Sequence, residues 1–508
     1  MIRFEQVRRW AMQDGGRQAL TWNGGEWSYR RLFEAALAFA LELEERGVRP
    51  GDRVALLAEN DPGTLAAVLG IQAAGATLVP INFRLTAGEC DTILGNAVCR
   101  LMLFGESESS LAAQITGVRE KHSFGPLGEL AKPRVASERD WHRDRWPQLA
   151  PNSVETIIYT SGTTGLPKGV VTTPVMVTGL AQSTALTHVV GPNSCWLQVL
   201  PYFSAASLNL SLNTIFMVGG SLHLLHSRHF DPSRFMEEAQ RSGATHTELV
   251  PTQLYRILDM LGSKRAESSF EAIGYGSAPM SDARLEQALQ VFGRIFIQAY
   301  GMTETTCQAT LLLKADHVPG ARQLQSAGRP LPHVDVMVAR DDLTEASAGE
   351  EGEICFRGIT VTPGYWRASG AYDRTGFDGE WLRSGDVGRV DEHGFIYVVD
   401  RKKDLVITGG FNVSSREVED VIYQVDGVLE CAVVGAPDKE WGEVAVATVV
   451  RGRDSDLSEQ RVIAHCKQRL AGFKVPQRVV FMDELPKNSI GKILKREIRK
   501  RLQERVSA

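Results

Sequence analysis

Apolar residues recur at helical spacing over 28–48. The stretch GVRPGDRVALLAEN (47–60) then supplies a Gly/Pro turn and a run of buried-strand character. The same alternation of helix and short apolar strand returns at 62–83, 175–190, 194–201, 231–251 and 281–299. Helices interleaved with apolar strands cover both faces of a sheet, so the pattern predicts an α/β fold of mostly parallel sheets. From 328 to 399 the texture changes. GEICFRG (352–358), GYW (364–366) and GRVDEHGFIYVVD (388–400) predict a small β-rich region with Gly-rich turns.

At VVDRKKDLVITGGFNV (398–413) a run of charges follows an apolar strand. This predicts a large N-terminal domain over 1–399, a hinge at 400–404 and a small α+β domain over 405–508. In the small domain, Ser414 or Ser415 is placed to N-cap a helix with acidic residues in its first turn. LECAVVGAPD and VAVATVV read as strands, and helices are expected around 458–470 and 494–503. The last helix, KILKREIRKRLQERV, is basic and reads as a solvated face.

Composition narrows the functional classes. A chain of 508 residues is too long for one ordinary core. With 43% hydrophobic and 23% charged residues it has the profile of a soluble globular protein. A net charge of −5 points to neither nucleic acid nor an anionic membrane as partner. The seven cysteines are scattered and contain no CxxC pair, as expected of reduced thiols in a cytoplasmic protein. The charged N-terminus lacks the apolar region of a signal peptide. The longest apolar stretch, 65–81, is interrupted by Gln72, Gly70 and Gly75 and falls short of the ~20 residues of a membrane span. A small-molecule partner is expected, and a homodimer is compatible with the sequence.

The chemistry concentrates in YTSGTTGLPKGV (159–170). Glycines let backbone N–H groups approach an anion, hydroxyls donate to phosphate oxygens, and a lysine adds a point charge. The spacing is not that of Walker A, since Gly165 stands three residues before Lys168. Further along the chain are QAYGMTET (298–305), RSGDVG (383–388), Arg401 and Lys403 in the boundary, and LPKNSIGKILKREI (485–498). Each alone has an ordinary reading: Asp386 as a turn residue, Lys492 as an exposed charge, Tyr300 as core.

Together and in this order these motifs resemble the adenylate-forming superfamily, which includes acyl-CoA synthetases, firefly luciferases and peptide-synthetase adenylation domains. GSAPMS (276–281), GRPLP (328–332), DGEWLRSGDVG (378–388) and VDRKKDLVITGG (399–410) extend the likeness over nearly the whole chain, and the stand-alone carboxylate–CoA ligases match best. The resemblance implies ATP, Mg²⁺ and coenzyme A. It implies that Thr160, Ser161, Gly162, Thr163, Thr164, Gly165 and Lys168 cradle the β- and γ-phosphates. Tyr300 would stack on adenine beside the backbone of Gly276, Ser277 and Ala278. Thr303 would contact the α-phosphate and Glu304 would hold Mg²⁺. Asp386, supported by Arg401, would bind the ribose diol. Lys492 would stand between the attacking carboxylate and the α-phosphate, and Gly409 and Gly410 would let the pantetheine arm pass. The small domain would turn about Lys403 between the two half-reactions.

Two positions depart from the family pattern. Ser204 stands where many relatives carry a histidine near the acyl pocket, and Tyr275 stands where they carry a small residue. With Gly301, these are the expected contacts of the acyl group. The segments expected to line its pocket (200–216, 247–254, 272–280 and 299–302) contain no Lys or Arg and one acid, Glu248. That composition suits a monocarboxylic acid with an apolar body: a fatty chain, an aryl ring or a polycycle. Three readings stand at this point: a carboxylate–CoA ligase, an adenylating enzyme that loads a carrier-protein thiol, and a catalytically silent binding protein of the same fold. Intact Lys168, Glu304, Asp386 and Lys492 count against the last.

Overall fold

A computed structural model describes residues 3–124, 141–161, 167–226, 228–278, 280–408, 411–438, 441–452, 455–487 and 493–507. The alternation of helix and apolar strand builds two large sheets. One has nine strands and runs from Arg329–Pro330 and Thr310–Leu312 through Phe296–Tyr300, Ala272–Gly276, His246–Leu249, Cys195–Gln198 and Ser221–Leu224 to Gln18–Trp22 and Gly25–Ser28. Its middle is parallel: Phe296–Tyr300, Ala272–Gly276, His246–Leu249, Cys195–Gln198 and Ser221–Leu224 all point one way. The other has eight strands and carries Arg53–Leu57, Thr77–Ile81, Thr156–Ser161 and Pro167–Thr172. Helix Tyr29–Glu45, capped by Ser28, and helix Pro62–Ala73, buried at every residue, fill the space between the sheets with the N-terminal helix Arg3–Gln13.

A buried polar node ties that interior together. Arg3 Nη1 contacts Glu155 Oε1 at 2.7 Å, and both side chains are fully buried. Gln72 donates to the same carboxylate oxygen, while Arg3 also donates to Asn209 Oδ1 at 3.1 Å and to the carbonyl of Leu208 at 3.2 Å. Glu155 immediately precedes strand Thr156–Ser161, so the node fixes the root of the strand that leads into residues 162–166.

The β-rich region forms as expected, with Val334–Ala339, Gly352–Gly358, Trp381–Val390, Phe377–Asp378 and Ile396–Arg401 in one antiparallel sheet. GYW does not join it. Tyr365–Trp366 instead leaves for the eight-stranded sheet, where Tyr365 pairs antiparallel with Val170. A two-residue strand carries no periodicity, so its sheet is decided by tertiary pairing alone.

The small domain holds a fourth sheet, Phe411–Val413, Val406–Thr408, Gly442–Arg451 and Val428–Asp438, with Arg478–Phe481 parallel to Gly442–Arg451. Ser414 is the N-cap of helix Ser415–Ile422, accepting from Glu417 N at 3.2 Å. Ser415 donates instead to Asp400 Oδ2, through N and Oγ, at 2.6 Å each. The basic helix Lys495–Ser507 is not simply solvated. Ile498 and Leu502 are buried, Lys495 is paired with Glu419 at 2.7 Å, and Arg499 bonds Asp404 at 2.8 Å. The pattern of its charges hid this, because the acids that hold it lie 76 and 95 positions away. No helix among the described residues is long and apolar enough to cross a membrane. All seven cysteines are free thiols.

Candidate active site

Parallel strands deliver their C-terminal ends to one edge, and ligands of open α/β sheets bind at such edges. Here Phe296–Tyr300 ends at Tyr300, and a short 3₁₀ turn, Thr303–Thr305, follows. Gly276 ends the neighbouring strand and pairs with Ala299. A Cβ at Gly276 would lie 2.6 Å from the Ala299 carbonyl oxygen, so the position requires glycine. Ser277 follows with φ of 67°, a left-handed turn that swings the chain across the strand ends, and Ala278 continues that bend. Gly301 is equally tight, since a Cβ there would lie 2.8 Å from both the Cys307 carbonyl and Thr305 Oγ1.

Two polar clusters converge on this edge. In the first, Tyr300 donates to Asp386 Oδ2 at 2.8 Å, and Arg401 Nε lies 3.3 Å from Oδ1. Asp386 sits on a turn held from beneath. Its N–H donates to Ser384 Oγ at 3.0 Å, and Glu353 accepts from Gly385 N at 3.1 Å while pairing with Arg383. Burial, reinforced by the Asp386 charge, raises the Tyr300 phenol well above its ordinary value, so it donates as a neutral hydroxyl.

The second cluster spans three motifs. Tyr365 donates to Glu304 Oε1 at 2.9 Å. Lys168 Nζ stands 4.8 Å from the centre of the Tyr365 ring, a cation–π contact. Lys168 lies on strand Pro167–Thr172 and pairs with Thr160, and Ser161 is the last residue before 162–166. Burial raises the Glu304 carboxyl, opposed by the Tyr365 hydrogen bond and by the Lys168 and Arg401 charges. Arg401, in contact with Asp386, also opposes the rise of the Glu304 carboxyl, so its charge is felt in both clusters.

The structure therefore brings together Thr160, Lys168, Gly276, Ser277, Ala278, Tyr300, Gly301, Thr303, Glu304, Asp386 and Arg401. Gly162, Thr163, Thr164, Gly165, Gly409, Gly410 and Lys492 lie outside the described residues, as does the side chain of Ser161. Tyr275 is turned away. Its ring packs into the outer core, and its hydroxyl bonds Gln298 and His317 at 3.2 Å each. Alternation along the strand causes this, because Gly274 and Gly276 take the inner face. Ser204 accepts from Ser207 N at 3.3 Å and so steadies the start of the π-helical turn Ala206–Ser211, a local capping role that suits a short hydroxyl. Lys403 stands in the turn after Arg401, and its carbonyl accepts from Arg499 at 3.3 Å.

Two residues gain a part that sequence reasoning did not assign. Tyr365 links Lys168 to Glu304, and the quoted GYW motif was the available signal. Glu353 supports the Asp386 turn, and the GEICFRG motif that contains it was the available signal.

A cleft of about 490 Å³ opens between the domains. Arg84, Arg228, Arg256, Lys487 and Arg501 line it, with Leu200, Pro201 and Val250 on its apolar side and Glu484 as its acid. Arg228 is shared with Glu59 and Glu108, and Lys487 with Glu430.

Comparison with known proteins shows the family. The AMP-binding enzyme family model matches residues 7–366, and the AMP-binding enzyme C-terminal domain matches 417–492. A feruloyl-CoA synthase from Amycolatopsis sp is 35% identical over 95% of both chains. A 2-succinylbenzoate–CoA ligase from Geobacillus kaustophilus is 33% identical over 98% of this chain and 96% of its own. The crystal structure of ATP-bound MatB from Rhodopseudomonas palustris superposes with a TM-score of 0.87 at 28% identity, covering 98% of this chain and 99% of that one. With the site residues placed as described, the chain belongs to the AMP-binding enzyme family, as an AMP-forming acid–thiol ligase of the adenylate-forming superfamily.

Proposed function

We propose that this site activates a carboxylic acid with an apolar body as its acyl-adenylate and passes the acyl group to the thiol of coenzyme A. The observation that carries the reading is the convergence of Tyr300–Asp386–Arg401 and Lys168–Tyr365–Glu304 on one strand edge. A carboxylate is a poor acyl donor, because its leaving group would be oxide. Attack of its oxygen on the α-phosphorus of ATP forms a P–O bond and expels pyrophosphate. The thiol then attacks the acyl carbon and expels AMP. Negative charge builds up in both steps, so preorganised cations and donors lower the barriers.

Asp386 presents a carboxylate to the ribose hydroxyls, held in place by Tyr300 and Arg401. Lys168 and the backbone from Thr160 and Ser161 onward receive the departing phosphates. Glu304, with one oxygen fixed by Tyr365, suits a Mg²⁺ ion, which takes one or two carboxylates together with nucleotide phosphates. That ion would neutralise phosphate charge. Lys492 serves the α-phosphate, and rotation of the small domain about Lys403, between the domains 1–399 and 405–508, replaces it with Gly409 and Gly410 for the second step.

The cationic cleft supports free CoA over a carrier protein as acceptor. CoA brings a diphosphate and a further ribose phosphate, whereas a carrier arm brings one phosphodiester, and a cleft that holds Arg84 and Arg256 beside the ion-paired Arg228, Lys487 and Arg501 suits the richer anion. The reduced thiols accord with a cytoplasmic enzyme, and light scattering would decide whether it is a homodimer. The test of function is an ATP–pyrophosphate exchange screen over a panel of acids, followed by thioester assays with CoA and with a holo-carrier protein. Exchange that depends on the acid, followed by thioester on CoA, is expected. ADP and phosphate as primary products, or acylation of the carrier alone, would refute it.

A further inference from the structure

Glu248 is buried and lies on the inner face of its strand. Its neighbour two residues back, His246, stacks on Trp196 of the inner core at 5.8 Å, while Leu249 belongs to the outer core. Across the sheet Glu248 pairs with Gly274. That glycine makes room for the carboxyl, since a Cβ at 274 would lie 1.8 Å from Glu248 Oε2. On the other side, Gln198 is fully engaged. Its amide nitrogen donates to Leu200 O and Ser207 Oγ, and its oxygen accepts from Ser211. Glu248 Oε2 is sealed from solvent without a partner, and no hydrogen bond or ion pair of this carboxyl is found among the described residues. Two residues further along the neighbouring strand is Gly276, at the rim of the active site. The rise of a strand therefore places Glu248 ~7 Å deeper than that rim, along the inner face. An acyl group entering from the reacting carboxyl would meet it at its far end.

Resting on the reading above, we propose that Glu248 is a specificity residue that receives a hydroxyl group carried at the distal end of the acid substrate. Gln198 is already engaged, the Cys307 thiol lies near without a hydrogen bond to it, and Glu248 Oε2 keeps an unused acceptor position for one small polar group. Burial pushes this carboxyl up to about 8, so near neutral pH it is protonated and can both donate to and accept from a hydroxyl. A second carboxylate would find no cation there, and an ammonium would need the ionised form.

The test compares kcat/KM for matched acids: phenylpropanoate and its para-hydroxy derivative, hexanoate and ω-hydroxyhexanoate, with ω-aminohexanoate as the cationic arm. The wild type is expected to prefer the hydroxylated member of at least one pair by roughly 10- to 100-fold, because the deoxy acid leaves the carboxyl unpaired. Glu248→Leu should abolish that preference while leaving KM for ATP unchanged. Glu248→Gln, of the same shape, should retain part of it and controls for folding. Equal use of both members by the wild type, preference for the amine, or a preference that survives Glu248→Leu would overturn the proposal while leaving carboxylate activation intact. Failure of every acid to support pyrophosphate exchange would instead overturn the underlying reading and this inference with it.

Discussion

Glu155 and Glu248 are both carboxylates buried within the large domain, each with an Oε2 that has no partner among the described residues, and they differ in whether a cation meets the other oxygen. Glu155 meets Arg3 and Gln72 on one oxygen, at the root of the strand that feeds the phosphate loop. Among the described residues Glu248 meets neither a cation nor a hydrogen-bond donor, and a glycine stands beside it where a partner could have been. An ion buried with its counterion holds the fold in register. A polar group buried alone costs stability, roughly 1–3 kcal/mol, and persists where something outside the chain completes it. The difference separates residues that serve the fold from those that serve the substrate, and five variants bear on it.

The largest effect belongs to the paired site. Glu155→Leu strands Arg3 in the core without a counterion and should cost ~3–5 kcal/mol of unfolding free energy, read from the denaturant midpoint. A midpoint equal to that of the wild type would remove the node from any structural role. Substrate-facing groups should behave the other way. Lys492→Ala should slow adenylate formation by ~10²-fold or more, keep the wild-type midpoint, and still convert supplied acyl-adenylate and CoA to thioester. Proline cannot absorb a backbone rotation, so Lys403→Pro should keep adenylation and lose thioester formation. Equal damage to both half-reactions in both variants would rule out domain rotation.

Glu248→Leu should raise stability by ~1–2 kcal/mol, the reverse of the change at Glu155, because it removes an unpaired polar group. The sign with pH is fixed. The folded carboxyl titrates near 8 against an ordinary value of 4.5, so the folded state holds a proton that the unfolded chain has lost in between. The contribution of Glu248 is best below 4.5 and declines until pH passes 8, so the gain from leucine should grow from pH 5 to pH 8. A gain that shrinks with pH would contradict a raised carboxyl. The smallest effect is expected in the interdomain cleft. Arg256→Glu should raise KM for CoA by ~5-fold and leave pyrophosphate exchange unaltered, since an edge charge adds modestly to binding. Altered exchange would tie Arg256 to the first half-reaction.

The sequence made much of this legible, for reasons that differ by residue. Alternating helix and apolar strand predicted an α/β fold of mostly parallel sheets, because buried parallel strands leave continuous apolar runs. Asp386, Tyr300 and Glu304 stood out because several ordered motifs surround them, and the structure brings them to one edge. GYW was assigned to the wrong sheet, since two residues have no period to read. Tyr275 was expected in the acyl pocket, but strand alternation turns it into the outer core against His317. Lys495 looked solvated because its partner Glu419 is on another helix. Glu248 was visible as the one acid among the pocket segments. Its isolation was not, because that depends on Gly274, which only the sheet register places beside it.

The most direct measurement is a crystal structure with a non-hydrolysable acyl-sulfamoyl adenosine whose acyl chain ends in a hydroxyl. The expected result has the ribose on Asp386, the acyl chain running inward past Gly276 and Gly274, and the hydroxyl within hydrogen-bond distance of Glu248. An acyl chain directed elsewhere, with the Glu248 carboxyl still unpartnered, would contradict the division between residues that complete the fold and residues that await the substrate.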